Sequence, residues 1–310
     1  MENGYFEKRI SPSDRFMNQF VRLALLLRGS RHLFSSISAC EEYLKTAECK
    51  AVSVSAGKVK NCTVSKEAYR DTEYYIFKPE NALQTKTAVM YFHGGAYVRR
   101  LTSHHVRLIK MLCAKTGFTF VVPLYLTLPE YTCRESLGQL MGIYKSLLEK
   151  NENVIFAGDS CGGAICVSLL AHINDEKLKK PKKLVLFSPF LDHEIIGDAE
   201  TERIAKRDPM FGGTKGLGFL AERWCSGFEK DDPHAEPLYT DFGMNVPLCI
   251  FTSDGDMLSV GCKRFFEKAK DFGASVRIVC FEKVFHCFVL YPLAAARECI
   301  DEAAKLMKEE

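Results

Sequence analysis

Ser160 stands in Gly158-Asp159-Ser160-Cys161-Gly162, directly after the apolar run Asn153–Ala157. A strand that runs into G-x-S-x-G and then into a helical pattern predicts a tight strand-to-helix turn with the serine hydroxyl exposed at its top. The flanking glycines let such a turn close without Cβ clashes. A phosphate loop is the competing reading, but G-x-x-x-x-G-K is absent. A serine hydroxyl is a weak nucleophile until a base takes its proton. His286, in Val284-Phe285-His286-Cys287-Phe288, follows the last strand pattern and precedes the last helical one, where a loop can lower an imidazole onto the serine. Asp256 leaves the strand pattern Pro247–Thr252 within Ser253-Asp254-Gly255-Asp256-Met257-Leu258. A carboxylate there would hold the imidazole tautomer and stabilise the imidazolium. Asp254, two residues earlier, could take that role or simply cap the next helix. An acyl-transfer oxyanion also needs donors, and the backbone N–H groups of Cys161, Gly94 and Gly95 are the candidates. The glycines lie in His93-Gly94-Gly95-Ala96, after the apolar run Thr87–Phe92.

These residues need a scaffold that brings strand ends together. Strand patterns are predicted at 72–77, 87–92, 118–123, 153–157, 183–188, 247–252 and 275–281. Helical patterns intervene at 102–116, 134–150, 162–174 and 257–272, and 291–308 closes the chain. Gly117 and Gly273 stand as stops after two of them. Strands separated by helices argue a mostly parallel sheet covered on both faces. Two irregular helical blocks, about 1–50 and 193–235, do not fit that alternation. Their natural place is a cap over the carboxyl ends of the strands, where open α/β sheets bind ligands. Within the first block 15–28 and 39–50 look helical, and the segment before Ser65 looks like surface connection. The apolar stretch Phe20–Leu27 is too short to span a bilayer. It fits an amphipathic helix packed on the domain, with a membrane-surface or lid helix as the other reading.

Composition narrows the class. The 310 residues are 47% hydrophobic and 26% charged, with net charge +3 and the signs interspersed, so nothing points to nucleic acid. Thirteen cysteines form an odd, scattered set without C-x-x-C, most of them in apolar stretches. They read as reduced thiols in a reducing compartment rather than as a disulfide framework or zinc site. The first residues are polar and mixed in charge, unlike a signal peptide, and cytoplasmic location is expected. His104, His105, His172, His193 and His234 show no metal-ligand spacing and read as surface or capping residues.

Several segments together carry a family resemblance. They are Phe92-His93-Gly94-Gly95-Ala96, Tyr125-Leu126-Thr127-Leu128-Pro129-Glu130, Gly158-Asp159-Ser160-Cys161-Gly162-Gly163, Asp208-Pro209-Met210, Asp256-Met257-Leu258 and His286-Cys287-Phe288. They resemble H-G-G-G, Y-R-L-A-P-E, G-D-S-A-G-G, a recurring cap motif, D-P-L and H-G-F of the hormone-sensitive-lipase-like group of α/β-hydrolases. The likeness runs over most of the chain from about residue 70, and the order serine, acid, histidine is that of the α/β-hydrolase triad. Ala96 stands in place of the third glycine, and Cys161 in place of the usual alanine.

The resemblance implies a single α/β-hydrolase domain over 1–310. Its mostly parallel, eight-stranded sheet would be flanked by helices, with a helical cap from about 1–50 and 193–235. It implies a carboxylic ester hydrolase for short- to medium-chain acyl esters, with catalytic Ser160, Asp256 and His286 and an oxyanion hole of Gly94, Gly95 and Cys161. No metal or organic cofactor is expected. His93 would pin the oxyanion loop, and Glu130 would be a structural support. The partner is then a small-molecule ester, without nucleic acid or an integral membrane span, and a homodimer stays open. Two alternatives use the same fold. One is an amidase or deacetylase with the same triad, because specificity lies in pocket walls. The other is a non-catalytic ligand receptor like the gibberellin receptors, which lose the histidine that this chain keeps at His286.

Overall fold

The apolar runs come together as the centre of a ten-stranded sheet in the computed structural model, which describes residues 2–29, 31–46, 53–54, 57–59, 62–80, 82–83 and 85–309. The chain opens with strand β1 (Gly4–Lys8), helix α1 (Pro12–Leu27) and helix α2 (Ile37–Thr46). Strands β2 (Gly57–Val59), β3 (Cys62–Tyr69) and β4 (Thr72–Pro79) follow as an antiparallel run. Strands and helices then alternate through β5 (Thr87–Phe92), α3 (Ser103–Thr116), β6 (Thr119–Pro123), α4 (Cys133–Lys150), β7 (Asn153–Asp159), α5 (Cys161–Asp175) and β8 (Leu184–Phe187). Short helices α6 (Ala199–Ala205) and α7 (Lys215–Trp224) interrupt the pattern before β9 (Leu248–Ser253), α8 (Ser259–Asp271), β10 (Val276–Phe281) and α9 (Ala294–Lys308).

The strand order is β1-β10-β9-β8-β7-β5-β6-β4-β3-β2. From β1 to β6 all neighbours are parallel, and β4, β3 and β2 extend the sheet in antiparallel pairing. The central strands are buried on both faces, so they read as unbroken apolar runs. Alternate residues feed two cores. Met90 and Phe92 of β5 join Leu137, Leu169 and Phe265 of α4, α5 and α8. Val89 and Tyr91 of the same strand join Leu112 of α3 and Ile300 of α9 on the opposite face. From β5 the chain steps to β6 on one side and then returns to β7 on the other. That reversal opens a crevice at the carboxyl ends of β5 and β7. Both the His93-Gly94-Gly95 loop and Ser160 emerge there.

The sheet corrects the expected strand count. The structure has ten strands among the described residues where eight were expected. Gly4–Lys8, placed in the first irregular block, pairs in parallel with Arg277–Phe281 at the sheet edge. The segment Cys62–Tyr69, read in part as surface connection, is a full strand in which only Cys62 and Val64 are buried. Edge and near-edge strands present polar side chains to water, so their patterns fade into those of loops. The helix expected over 39–50 is observed to Thr46, and its last four residues lie outside the described residues.

The two irregular blocks meet. Arg31, just after α1, donates to the Lys206 and Asp208 carbonyls at 2.9 Å each. Arg22 donates to the Arg207 carbonyl. Cys40 of α2 places its thiol against the Gly216 carbonyl of α7 at 3.5 Å. Phe34 and Phe211, one from each block, pack with tilted rings whose centroids are 5.4 Å apart above the crevice.

Candidate active site

Register explains why the oxyanion loop and the serine are neighbours. Phe92 of β5 lies opposite Gly158 of β7, so the residues two further on, Gly94 and Ser160, leave the sheet side by side. A Cβ on Gly94 would come within 3.1 Å of the Ser160 Cβ and would overlap the Asp159 carboxylate. Gly162, on the first turn of α5, passes so close to the Phe92 carbonyl that no side chain fits. This close approach lets α5 begin directly behind the serine. Ser160 itself has φ 53° and ψ −124°, a strained conformation of the kind that surrounding structure must enforce.

Three of the singled-out side chains converge from positions 30 and 126 residues apart. His286 Nε2 lies 3.0 Å from Ser160 Oγ. His286 Nδ1 lies 3.0 Å from both carboxylate oxygens of Asp256. With Asp256 accepting from Nδ1–H, Nε2 is the free base that faces the hydroxyl. Ser160, Asp256 and His286 are all buried. Asp254, the open alternative, points elsewhere: its carboxylate accepts from the Lys283 backbone N–H.

The N–H groups of Gly94, Gly95 and Cys161 donate no hydrogen bond within the protein among the described residues. Gly95 has φ 132°, which permits its amide to face the crevice without strain. Ala96 holds φ 53°, a left-handed conformation that favours glycine. The Cys161 thiol turns away from the crevice toward the Tyr97 N–H at 3.4 Å and the Tyr125 hydroxyl at 3.6 Å. Burial pushes it up to about 11, so it stays a protonated packing group at neutral pH.

His93 is a support rather than a proton carrier. Its Nδ1 donates to the Gly94 carbonyl at 2.8 Å, and its ring stacks on Tyr125 at 4.4 Å. Burial, with the neighbouring His105 adding, pushes its pKa down to about 3, so the ring is neutral. Tyr125 in turn donates to the His93 carbonyl at 2.8 Å. Glu130 is exposed and makes no hydrogen bond among the described residues, so it does not brace the site as expected.

The structure gives supporting roles to residues that the sequence did not assign to the site. Asp159, beside the serine, accepts from Tyr91 Oη at 2.6 Å and from His105 Nε2 at 3.2 Å. His105 Nδ1 accepts from the Thr102 N–H at 3.0 Å, which fixes the tautomer that leaves Nε2–H for Asp159. His105 thus caps α3 and anchors the elbow at once. Burial works against the Asp159 charge, but His105 and Tyr91 outweigh it and hold the carboxyl below its usual range. Asp208, from Asp208-Pro209-Met210, is fully buried and accepts from the His286 backbone N–H at 3.1 Å and from that of Met210 at 2.8 Å. Burial first, and then repulsion from Asp256, pushes its pKa up to about 7.

Of the other histidines, His193 departs from the surface reading: it bridges Tyr97 Oη at 2.8 Å and Glu236 at 3.0 Å with its ring enclosed. Its spacing in the sequence gives no sign of this, because both partners come from distant elements. His104 is exposed, as expected, while it also lines the crevice.

The crevice is a cavity of about 170 Å³ lined by Ser160, His286, Gly95 and Ala96, and closed by Phe34, Phe211, Leu217 and Leu290. Such an arrangement can activate a hydroxyl, hold an oxyanion and enclose a small apolar group. The described cysteines are all free thiols.

Residues 89–290 match the alpha/beta hydrolase fold family. A Mycobacterium tuberculosis protein named as an acetyl-hydrolase is 26% identical over 295 residues, covering 91% of this chain and 92% of that protein. An esterase of Acinetobacter venetianus is 23% identical over 207 residues, covering 66% of this chain and 68% of its own length. The fold superposes on the crystal structure of a hormone-sensitive lipase from a metagenome library with a TM-score of 0.78, at 20% identity, over 97% of this chain and 99% of that one.

Proposed function

The chain belongs to the alpha/beta hydrolase fold family, and from that premise we propose that it is a serine carboxylesterase for short-chain acyl esters. The observation that carries this reading is the unbroken relay from Asp256 through His286 to Ser160, each link 3.0 Å long. The esterase and acetyl-hydrolase names of its relatives support it. Ser160 Oγ attacks the ester carbonyl carbon while His286 Nε2 takes the hydroxyl proton. The oxyanion rests on the N–H groups of Gly94, Gly95 and Cys161. The tetrahedral adduct collapses to the acyl-enzyme, and His286 returns its proton to the departing alcohol. Water then attacks the acyl carbon and loses a proton to His286, which passes it to Ser160 Oγ as the carboxylic acid leaves. The helical blocks 1–50 and 193–235, apart from β1, act as the cap. The unpaired thiols fit a reducing, cytoplasmic compartment.

Pocket size sets the acyl preference. A cavity of about 170 Å³ lies well below the ~300–1,000 Å³ of sites for drug-sized ligands. On a ladder of p-nitrophenyl esters from acetate to palmitate, kcat/KM is expected to peak at acetate to butyrate and fall beyond hexanoate. Phe211, whose ring lies 4.9 Å from that of His286, closes the space. Phe211→Ala is expected to move the optimum to longer chains, and an unmoved optimum would show that the acyl group lies elsewhere. Including p-nitroacetanilide reads the ester-against-amide preference in the same assay.

The pH profile has a predictable acid limb. Burial disfavours the His286 imidazolium, but the Asp256 carboxylate outweighs it, aided by Asp208 and Asp159, and the pKa ends above the ordinary 6.5. The base must be neutral to accept a proton, so kcat/KM is lost as pH falls through that raised value. The expected midpoint is therefore above 6.5. Asp208, whose own pKa is pushed up to about 7, is only partly ionised in this range, so Asp208→Asn is expected to move the midpoint down only slightly. A limb at or below 6.5 in the wild type would contradict this electrostatic arrangement.

A further inference from the structure

Helix α1 carries two stripes with the same spacing. Asp14, Asn18, Val21 and Leu25 face inward and are buried. Asp14 accepts the Ala294 and Ala295 N–H groups at 2.7 Å, capping α9, and Asn18 donates to the Lys283 carbonyl at 2.9 Å. Phe16, Phe20, Leu23 and Leu27 follow the same i, i+4, i+7, i+11 spacing two residues on, which is the opposite face. They are 77, 64, 55 and 80% exposed. A helix on a soluble surface normally turns polar residues to water. Here the inward stripe holds the polar side chains that fasten the helix, and the outward stripe is wholly apolar.

The charges that the helix itself turns outward are basic. Arg15 and Arg22 lie on the helix and Arg28 just beyond it, while Asp14, the helix's one acidic residue, is buried. Glu282 reaches Arg15 at 3.4 Å, but Arg28 has no carboxylate partner among the described residues. Two copies packed through this face would bring like charges together, whereas an anionic surface complements them. Apolar Phe and Leu on one face with flanking arginines is the pattern of a helix that lies in a lipid interface. No helix among the described residues is long and apolar enough to cross a membrane.

We propose that α1 docks this protein on anionic phospholipid bilayers, with Phe16, Phe20, Leu23 and Leu27 inserted at the headgroup level. Phe34, a few residues on, closes the cavity over Ser160, so docking turns this side of the pocket toward the lipid. The proposal stands apart from the ester reading, because binding to vesicles requires no turnover.

The test is co-sedimentation of the full chain with vesicles of phosphatidylcholine alone or with about 30% phosphatidylglycerol. Wild type is expected to pellet with the anionic vesicles and to be released as salt rises from about 0.05 to about 0.5 M. Phe20→Glu combined with Leu27→Glu is expected to weaken partitioning at least about tenfold. Both side chains are exposed, so the far-UV spectrum and any hydrolysis of dissolved p-nitrophenyl acetate should stay unchanged. No pelleting at low salt, or equal pelleting of the variant, overturns the proposal. So does a dimer in analytical ultracentrifugation that the same variant dissociates without vesicle binding, since the face would then belong to a second copy.

Discussion

Ser160→Ala is expected to lower kcat/KM for p-nitrophenyl acetate by at least about 10⁴-fold while leaving the melting temperature within a few degrees of wild type. The hydroxyl makes one side-chain hydrogen bond among the described residues, to His286 Nε2 at 3.0 Å, so its removal deletes the nucleophile and little else. His286→Ala is expected to cost nearly as much, because the hydroxyl then has no base. The informative variant is the double mutant. Groups that work as one unit are not additive, so Ser160→Ala/His286→Ala should be scarcely worse than either single change. A fluorophosphonate should label the wild type at Ser160 and fail to label His286→Ala at a comparable rate. Activity within about tenfold of wild type in Ser160→Ala would refute the serine mechanism.

The second large effect separates two neighbouring acids. Asp256→Asn is expected to lower kcat by about 10³- to 10⁴-fold, because the amide can stabilise the wrong tautomer of His286 and cannot balance the imidazolium. Asp254→Asn is expected to stay within about threefold, since that side chain only receives the Lys283 N–H at the loop. The contrast is sharp because both residues lie on the same turn after β9 and the same chemical change is made in each. Asp256 is completely buried, and its Oδ1 also accepts the Leu258 N–H at 2.9 Å, so asparagine can preserve the fold through that bond. Melting curves distinguish a lost charge from a lost fold. Similar losses in the two variants would mean that neither acid alone orients the base.

These expectations trace back to how much the chain declares locally. Apolar runs ending in His93-Gly94-Gly95 and in Gly158-Asp159-Ser160 mark strand ends, because strand periodicity and turn glycines are properties of adjacent residues. The same local patterns located Asp256 and His286 beside strands, and the alternation of strands and helices specified a parallel sheet with two covered faces. Everything that depends on which way a side chain points had to wait for the fold. Asp254 and Asp256 differ by two positions in one turn, and only the packing of β9 against β10 with the loop to His286 selects between them. Asp159, His105 and Asp208 support the site through partners 54, 68 and 78 residues away. No spacing rule encodes such pairings.

The outer strands show the reverse dependence. β1 and β3 became strands because neighbouring strands offered ladders, although their own patterns are weak. In α1 the sequence determined that an apolar, arginine-flanked helix exists. The tertiary structure decided which stripe is buried, and it buried the one that carries Asp14 and Asn18 beside Val21 and Leu25, because Asp14 and Asn18 satisfy backbone groups of α9 and the His286 loop that would otherwise lack partners.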